Sequence, residues 1–499
     1  MNVLLHDLVD HAAAMNPEAV AIGHDGELRT YAAVAAASRR LAAWLAERNI
    51  QRGDRVIICL PTGTLLPALL YACSRAAAVF SVIHEQSPAA AVRHVLADAE
   101  PALLITDGPA AAAAGAELGV PTVGSAELLA LAWDGPEQGL PTPPLRVDPV
   151  CLIYTSGSTG MPKAVVSTHA QLVFAATAIA SVLGYRGDDT VYCALPLSFD
   201  YGMYQIFLSA LAGARLQLGS PGVAGPTLAR QLVAHRATVL PAVPALARAL
   251  ARLLSRPGVA APRLRLLTNT GAAMPAEVLG ELRARIPSLR VQLMFGLTEC
   301  KRAAIMPVDE DLRRPGASGR ALPGTEILIV DADGVPAAPG TVGEIVVRGP
   351  HVMAGYWRRP ELTASRFPRV EGLFPQLNTG DYGWMDADGY LYFVGRRDDI
   401  YKERGTRVSV TEVEAAAYRV PGVEAAAVLP PRAEDATDSA TLFVVGVLTA
   451  QEVLTALRSE LDEIKTPRTC LVLPELPLSR NGKVDRAALY RLWQEHAHV

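Results

Sequence analysis

Cysteine is scarce in this chain. Its 499 residues include six, Cys59, Cys73, Cys151, Cys193, Cys300 and Cys470, and no two form a CxxC pair. That scatter argues against a zinc site or a disulfide framework. Reduced thiols in a cytoplasmic protein are the expectation. An excess of basic residues is missing as well. The net charge is −4, with both signs spread along the chain, so the basic stripe of a nucleic-acid binder is not expected. Long unbroken apolar runs are also lacking. The stretch Gly63 to Ile83 is interrupted by Ser74 and Arg75, and Val239 to Leu254 holds Pro241, Pro244, Arg248 and Arg252. Neither reads as a membrane span. The first residues, Met1 to Asp7, lack a basic segment leading into an apolar one, so no secretory leader is expected.

Half of the residues are hydrophobic and 19% are charged, the balance of a globular chain. The length calls for two or more domains. From Thr30 to Ala170 helix-like and strand-like segments alternate. Tyr31 to Arg48 is amphipathic, Arg55 to Leu60 reads as a buried strand, and Leu65 to Ala77 as a helix. Val79 to Ile83 and Leu103 to Thr106 are further strands. The alternation resumes from Val191 to Met294. It predicts parallel βαβ units. From Gly316 to Val394 short strands with frequent turns take over. The last hundred residues read as a separate small α+β unit.

One loop carries most of the chemistry. After the apolar run Val150 to Ile153 come Tyr154-Thr155-Ser156-Gly157-Ser158-Thr159-Gly160-Met161-Pro162-Lys163. Glycine lets backbone approach a ligand closely. Successive backbone N–H groups make an anion-binding concavity, hydroxyls add donors and the lysine adds a point charge. The loop predicts a nucleoside triphosphate site. It is not a Walker A loop, because Pro162 precedes Lys163 and Ala164 follows it.

Other segments keep it company. Phe295-Gly296-Leu297-Thr298-Glu299 offers a carboxylate at the end of a strand. Asn378-Thr379-Gly380-Asp381 offers another on a turn. Gly395-Arg396-Arg397-Asp398 marks a charged junction, and Asn481-Gly482-Lys483-Val484-Asp485-Arg486 puts a lysine on a turn near the end. Each is weak alone. In this order and at these spacings the set resembles the adenylate-forming superfamily: acyl-CoA synthetases, adenylation domains of non-ribosomal peptide synthetases, and luciferases. The resemblance runs from about Leu5 to about Leu489.

The resemblance implies an α/β fold. A large N-terminal domain, 1–395, would hold mixed and parallel sheets flanked by helices plus a small β-barrel-like part. A hinge would occupy 396–398, with Asp398 as its pivot, and a small mobile α+β domain 399–499. The implied reaction has two halves: a carboxylate attacks the α-phosphate of ATP, giving acyl-AMP and pyrophosphate, and a thiol then captures the acyl group. Such chemistry needs positioning and charge neutralisation more than proton transfer. By the same resemblance Thr155, Ser156, Gly157, Ser158, Thr159, Gly160 and Lys163 would hold the β- and γ-phosphates. Thr298 would contact the α-phosphate, Glu299 would hold Mg²⁺, Phe295 would border the nucleotide, and Asp381 would bind the ribose hydroxyls with Arg396 nearby. Lys483 would bridge the substrate carboxylate and the α-phosphate.

The acid is less legible. Phe199, Asp200, Tyr201 and Tyr204 fall in the superfamily's substrate-side motif, with Thr270, Gly271, Met294 and Arg302 as further lining residues. In members that activate amino acids, an aspartate at the position of Asp200 pairs with the ammonium. Asp200 also suits the N-cap of a helix from Tyr201 to Leu211, so both readings stand. The run Cys300-Lys301-Arg302 departs from the usual small or apolar residues. Arg302 either faces the pocket, where it would take a second anion, or points outward. The leading expectation is activation of a small amino acid and loading of a separate carrier protein. An aryl or acyl acid:CoA ligase is the alternative, and adenylation with amine or nitrite chemistry the lesser one.

Overall fold

The computed structural model describes residues 3–136, 143–155, 162–219, 227–370, 374–396, 399–403, 406–431, 439–478 and 484–497. Short apolar runs make its central strands. Val56, Ile57, Ile58 and Cys59 are all buried, the pattern of a parallel strand covered on both faces. Their strand, Arg55–Cys59, pairs in parallel with Val79–Val82 on one side and Leu103–Thr106 on the other. This seven-stranded sheet ends in an antiparallel hairpin, Pro149–Thr155 against Lys163–Thr168, and the edge strand Gly355–Tyr356. The hairpin brings the two ends of the phosphate-loop sequence together.

A longer sheet stands beside it. Its parallel part runs through Thr190–Cys193, Val239–Ala242, Leu266–Asn269 and Arg290–Phe295. It then turns antiparallel through Ala304–Ile305, Ala317–Ala321, Leu391–Arg396, Phe374–Met385, Gly343–Arg348 and Glu326–Val330. This antiparallel arm is the part expected to be barrel-like. Helices cover the parallel strands. His169–Leu183 starts in a capping box made by Thr168 and Gln171 and stops at Gly184, the local chemistry that defines helix ends.

The C-terminal unit has its own core. Strands Val423–Leu429, Thr441–Gly446 and Thr469–Val472 form a three-stranded sheet. Helices Val410–Arg419 and Ala450–Leu457 pack on it, burying Val413, Leu442, Val453 and Leu457. The Ser409 and Thr411 hydroxyls both donate to the Val394 carbonyl, tying this unit to the antiparallel arm. Arg252 on helix Pro244–Leu254 meets Glu424 at 2.5 Å, and Arg248 lies 4.6 Å over the Tyr418 ring.

All six cysteines are buried and free. Burial pushes the Cys151, Cys193 and Cys300 thiols up to about 12. Among the described residues no helix is long and apolar enough to cross a membrane.

Candidate active site

The hairpin places Thr155 directly opposite Lys163. Ser156, Gly157, Ser158, Thr159 and Gly160 between them lie outside the described residues, as do Asp398 and Lys483. Lys163 is half-buried, and its Nζ lies 4.2 Å over the Tyr356 ring, a cation–π contact. The Tyr356 hydroxyl in turn donates to Glu299 Oε1 at 2.7 Å. Burial lowers the Lys163 pKa, and Glu299 opposes that fall. Thr298 and Glu299 occupy the turn after strand Arg290–Phe295. That turn is held from both sides. Met353 N donates to the Glu299 carbonyl at 2.9 Å. At Gly296 an added Cβ would stand 2.2 Å from the Lys301 carbonyl oxygen, so only glycine fits there. Phe295 packs against Phe393 with ring centroids 5.5 Å apart.

A second carboxylate faces the same region. Asp381 and Arg396 are register partners on adjacent antiparallel strands, with Arg396 Nε 3.3 Å from Asp381 Oδ1. Burial raises the Asp381 carboxyl to about 6, while Arg396 and then Arg366 pull it down. The sequence reading passed over Arg366 and Tyr356.

Of the residues expected on the acid side, Asp200, Tyr201, Tyr204 and Arg302 are buried, the two tyrosines within the main core. Asp200 opens helix Asp200–Ala212, after Phe199 at the N-cap, and no side-chain cap bond is made there. The N-cap alternative for Asp200 therefore falls, and the carboxylate is buried. Arg302 does not point outward. It is buried, its Nη1 lies 3.7 Å from Asp200 Oδ2, and its guanidinium sits 4.8 Å over the Tyr201 ring. Tyr201 is fixed in turn by a 2.7 Å bond between its hydroxyl and Thr268. Phe199 meets Tyr201 edge-on.

Lys301 is fully buried beside them, with Nζ 5.9 Å from the Tyr204 ring centroid. Burial lowers its pKa, and Asp200 is the first group to oppose that. Its backbone is left-handed, with φ +63°, strain that persists only where the surroundings over-determine it. Lys301 Nζ, Arg302 Nε, Tyr204 Oη and Thr270 Oγ1 are buried without a hydrogen-bond partner among the described residues. Unpaired buried polar atoms are costly. Two of these four atoms belong to cations. Met294 is absorbed in the main core and Gly271 is exposed. Two cations thus oppose one carboxylate.

A family model described as "AMP-binding enzyme" matches residues 9–357, and one described as "AMP-binding enzyme C-terminal domain" matches 412–483. The chain belongs to the AMP-binding enzyme family. As such it is an AMP-forming acid–thiol ligase of the adenylate-forming superfamily. It is 34% identical over 96% of its length to CymA of Salinispora arenicola, a probable non-canonical nonribosomal peptide synthetase, and spans only 6% of that protein. It is 31% identical to a feruloyl-CoA synthase of an Amycolatopsis species, covering 96% of this chain and 97% of the relative. Among solved structures, VinN shares 39% identity, 79% of this chain and 98% of its own, with a TM-score of 0.73, and has also been solved with L-aspartate. ATP-bound MatB from Rhodopseudomonas palustris shares 28% identity over 99% of both chains with a TM-score of 0.86. This AMP-binding enzyme therefore carries out ATP-dependent adenylation of an acid, on a mixed α/β fold with a large sheet-rich N-terminal part and a smaller C-terminal one.

Proposed function

We propose that the acid is a small amino dicarboxylate. One carboxyl is adenylated, and the acyl group then passes to the phosphopantetheine thiol of a separate carrier protein. The observation that carries this reading is the charge arrangement of the acid-side cluster: Asp200 against Lys301 and Arg302, all buried. A carboxylate in an apolar setting calls for a cationic amine, and the second buried cation calls for a second anion. A simple amino acid would leave Lys301 unmatched, and an aryl acid would match neither side. The L-aspartate complex of VinN supports the same ligand chemistry, and the peptide-synthetase relative supports a carrier thiol as acceptor.

In this reading the nucleotide lies between the Thr155–Lys163 hairpin and the Asp381–Arg396 pair. Asp381 accepts from the ribose hydroxyls. Lys163 balances charge on the departing pyrophosphate, and Thr298 donates to the α-phosphate. Lys483, on the 399–499 unit, neutralises charge where the carboxylate attacks, and Asp398 serves as the pivot for the second half-reaction. Glu299 fits magnesium: it is a half-buried carboxylate with one oxygen fixed by Tyr356, and magnesium takes one or two carboxylates together with substrate phosphates. The ion would supply charge neutralisation on the polyphosphate.

Pyrophosphate exchange across a panel tests the substrate. Amino dicarboxylates should support exchange at the lowest concentrations, plain amino acids and amine-free diacids weakly, and aryl acids not at all. Preferred exchange with an aryl acid, followed by transfer to free CoA, would replace this reading with the CoA-ligase one.

A further inference from the structure

The chain segment between the phosphate-side and ribose-side groups is bridged by one arginine that no motif pointed to. Arg366 is the last residue of helix Pro360–Arg366. Its Nη2 donates to the Thr379 carbonyl at 2.8 Å. Its guanidinium lies against Gly380, so close that an added Cβ there would stand 2.5 Å from Nη1. The rest of the turn is pinned separately. The Thr379 hydroxyl donates to the Ile345 carbonyl at 2.6 Å and accepts from Asp381 N at 3.0 Å, while Gly380 N donates to Glu344 Oε1 at 3.0 Å. The Arg366 charge also reaches the Tyr356 hydroxyl, the group that donates to Glu299, and Thr363 on the same helix accepts the Tyr356 N–H at 3.0 Å. One short helix therefore reaches both the backbone beside Asp381, through the half-buried Arg366 guanidinium, and the tyrosine that donates to Glu299, through Thr363.

We propose that Arg366 is a positioning residue that locks the Thr379–Asp381 turn to the Tyr356–Glu299 pair, setting the spacing between ribose and phosphate subsites. The argument rests on the nucleotide reading given above. A planar fork makes two directed contacts at once, which an ammonium does not. Arg366 also adds a positive charge that favours ionised Asp381, the form that accepts from ribose hydroxyls.

The test compares ATP and 2′,3′-dideoxy-ATP binding, by calorimetry, to the full chain and to Arg366→Gln and Arg366→Lys. If Arg366 acts through the ribose carboxylate, Arg366→Gln weakens ATP about tenfold yet leaves the dideoxy analogue within about twofold of the parent, because coupled contacts are not additive. Arg366→Lys keeps the charge and loses the fork. It should restore the low-pH dependence of ATP binding but not the full affinity. Equal weakening of both nucleotides, or none of either, would overturn the proposal. So would a lysine variant equal to the parent in affinity, because charge alone would then suffice. Melting curves for both variants separate loss of positioning from loss of fold. A parent chain that binds no ATP would defeat the nucleotide reading itself, a result distinct from the others.

Discussion

Replacing Lys301 with methionine should make the protein more stable and less useful. The side chain is fully buried, its Nζ has no hydrogen-bond partner among the described residues, and burial already lowers its pKa. Leaving a buried polar group unsatisfied costs roughly 1–3 kcal/mol, and an apolar side chain of similar length removes that penalty. Methionine fills the same volume with a flexible thioether. The empty enzyme should therefore melt a few degrees higher. The substrate should suffer the reverse. A hydrogen bond to a charged group contributes about 1.5–3 kcal/mol, so kcat/KM for an amino dicarboxylate should fall about ten- to hundredfold. An amino acid lacking the second carboxyl never used Nζ and should lose little. The assay is pyrophosphate exchange with both acids, beside calorimetric melting. A variant less stable than the parent, or one that loses both acids equally, would refute the reasoning: Lys301 would then be held by contacts internal to the fold.

Asp200→Asn keeps the shape and removes the charge that faces Arg302. Exchange with amine-bearing acids should drop by more than about a hundredfold, on the scale of losing a buried charge pair of about 3–5 kcal/mol, while amine-free diacids should bind the relieved cations better. The ratio of the two exchange rates reads this directly. Asp381 sets a pH dependence. Its folded pKa is raised, to about 6, so the empty protein gains stability from it at low pH and loses that gain as pH rises through about 6. Ribose binding needs the ionised form. The kcat/KM for ATP should therefore fall as pH drops below about 6, and a flat profile down to pH 5, roughly one unit below, would count against the ribose role. Gly296→Ala forces a Cβ to 2.2 Å from the Lys301 carbonyl. Backbone on backbone cannot yield cheaply, so a loss of roughly 1–3 kcal/mol is expected, with both acid and ATP affinities reduced. Wild-type melting would show that the turn shifts freely.

Much of this architecture can be read from the sequence because it is local. Arg55–Cys59, Val79–Val82 and Leu103–Thr106 stand within a residue of where the apolar runs put them, since a buried strand needs only a short run and flanking turns. The phosphate loop was legible as a strand ending in glycines and hydroxyls, but the antiparallel return Lys163–Thr168 was not. The acid side was harder for a physical reason. Consecutive side chains on regular backbone diverge, so Lys301 and Arg302 could not be expected to bear on one carboxylate, Asp200. The left-handed residue at 301 breaks that rule, and nothing in Cys-Lys-Arg announces it. Arg366 and Tyr356 were missed because their partners lie far along the chain, 13 residues away at Thr379 and 57 at Glu299. Asp200 had two readings because an aspartate before a helix suits a cap equally well. Only the helix beginning at Asp200 itself decided between them.

The buried thiols have a consequence for an enzyme that makes thioesters. Cys300 directly follows Glu299, and Cys151 lies close enough to Lys301 and Asp200 to feel both charges. An acyl-adenylate is an activated acyl donor, and a neighbouring thiolate would attack it. The thiolate, not the thiol, is the nucleophile, and burial holds both groups near 12, fully protonated. Protonated in this way, the enzyme's own sulfurs would leave an activated acid to an incoming thiol.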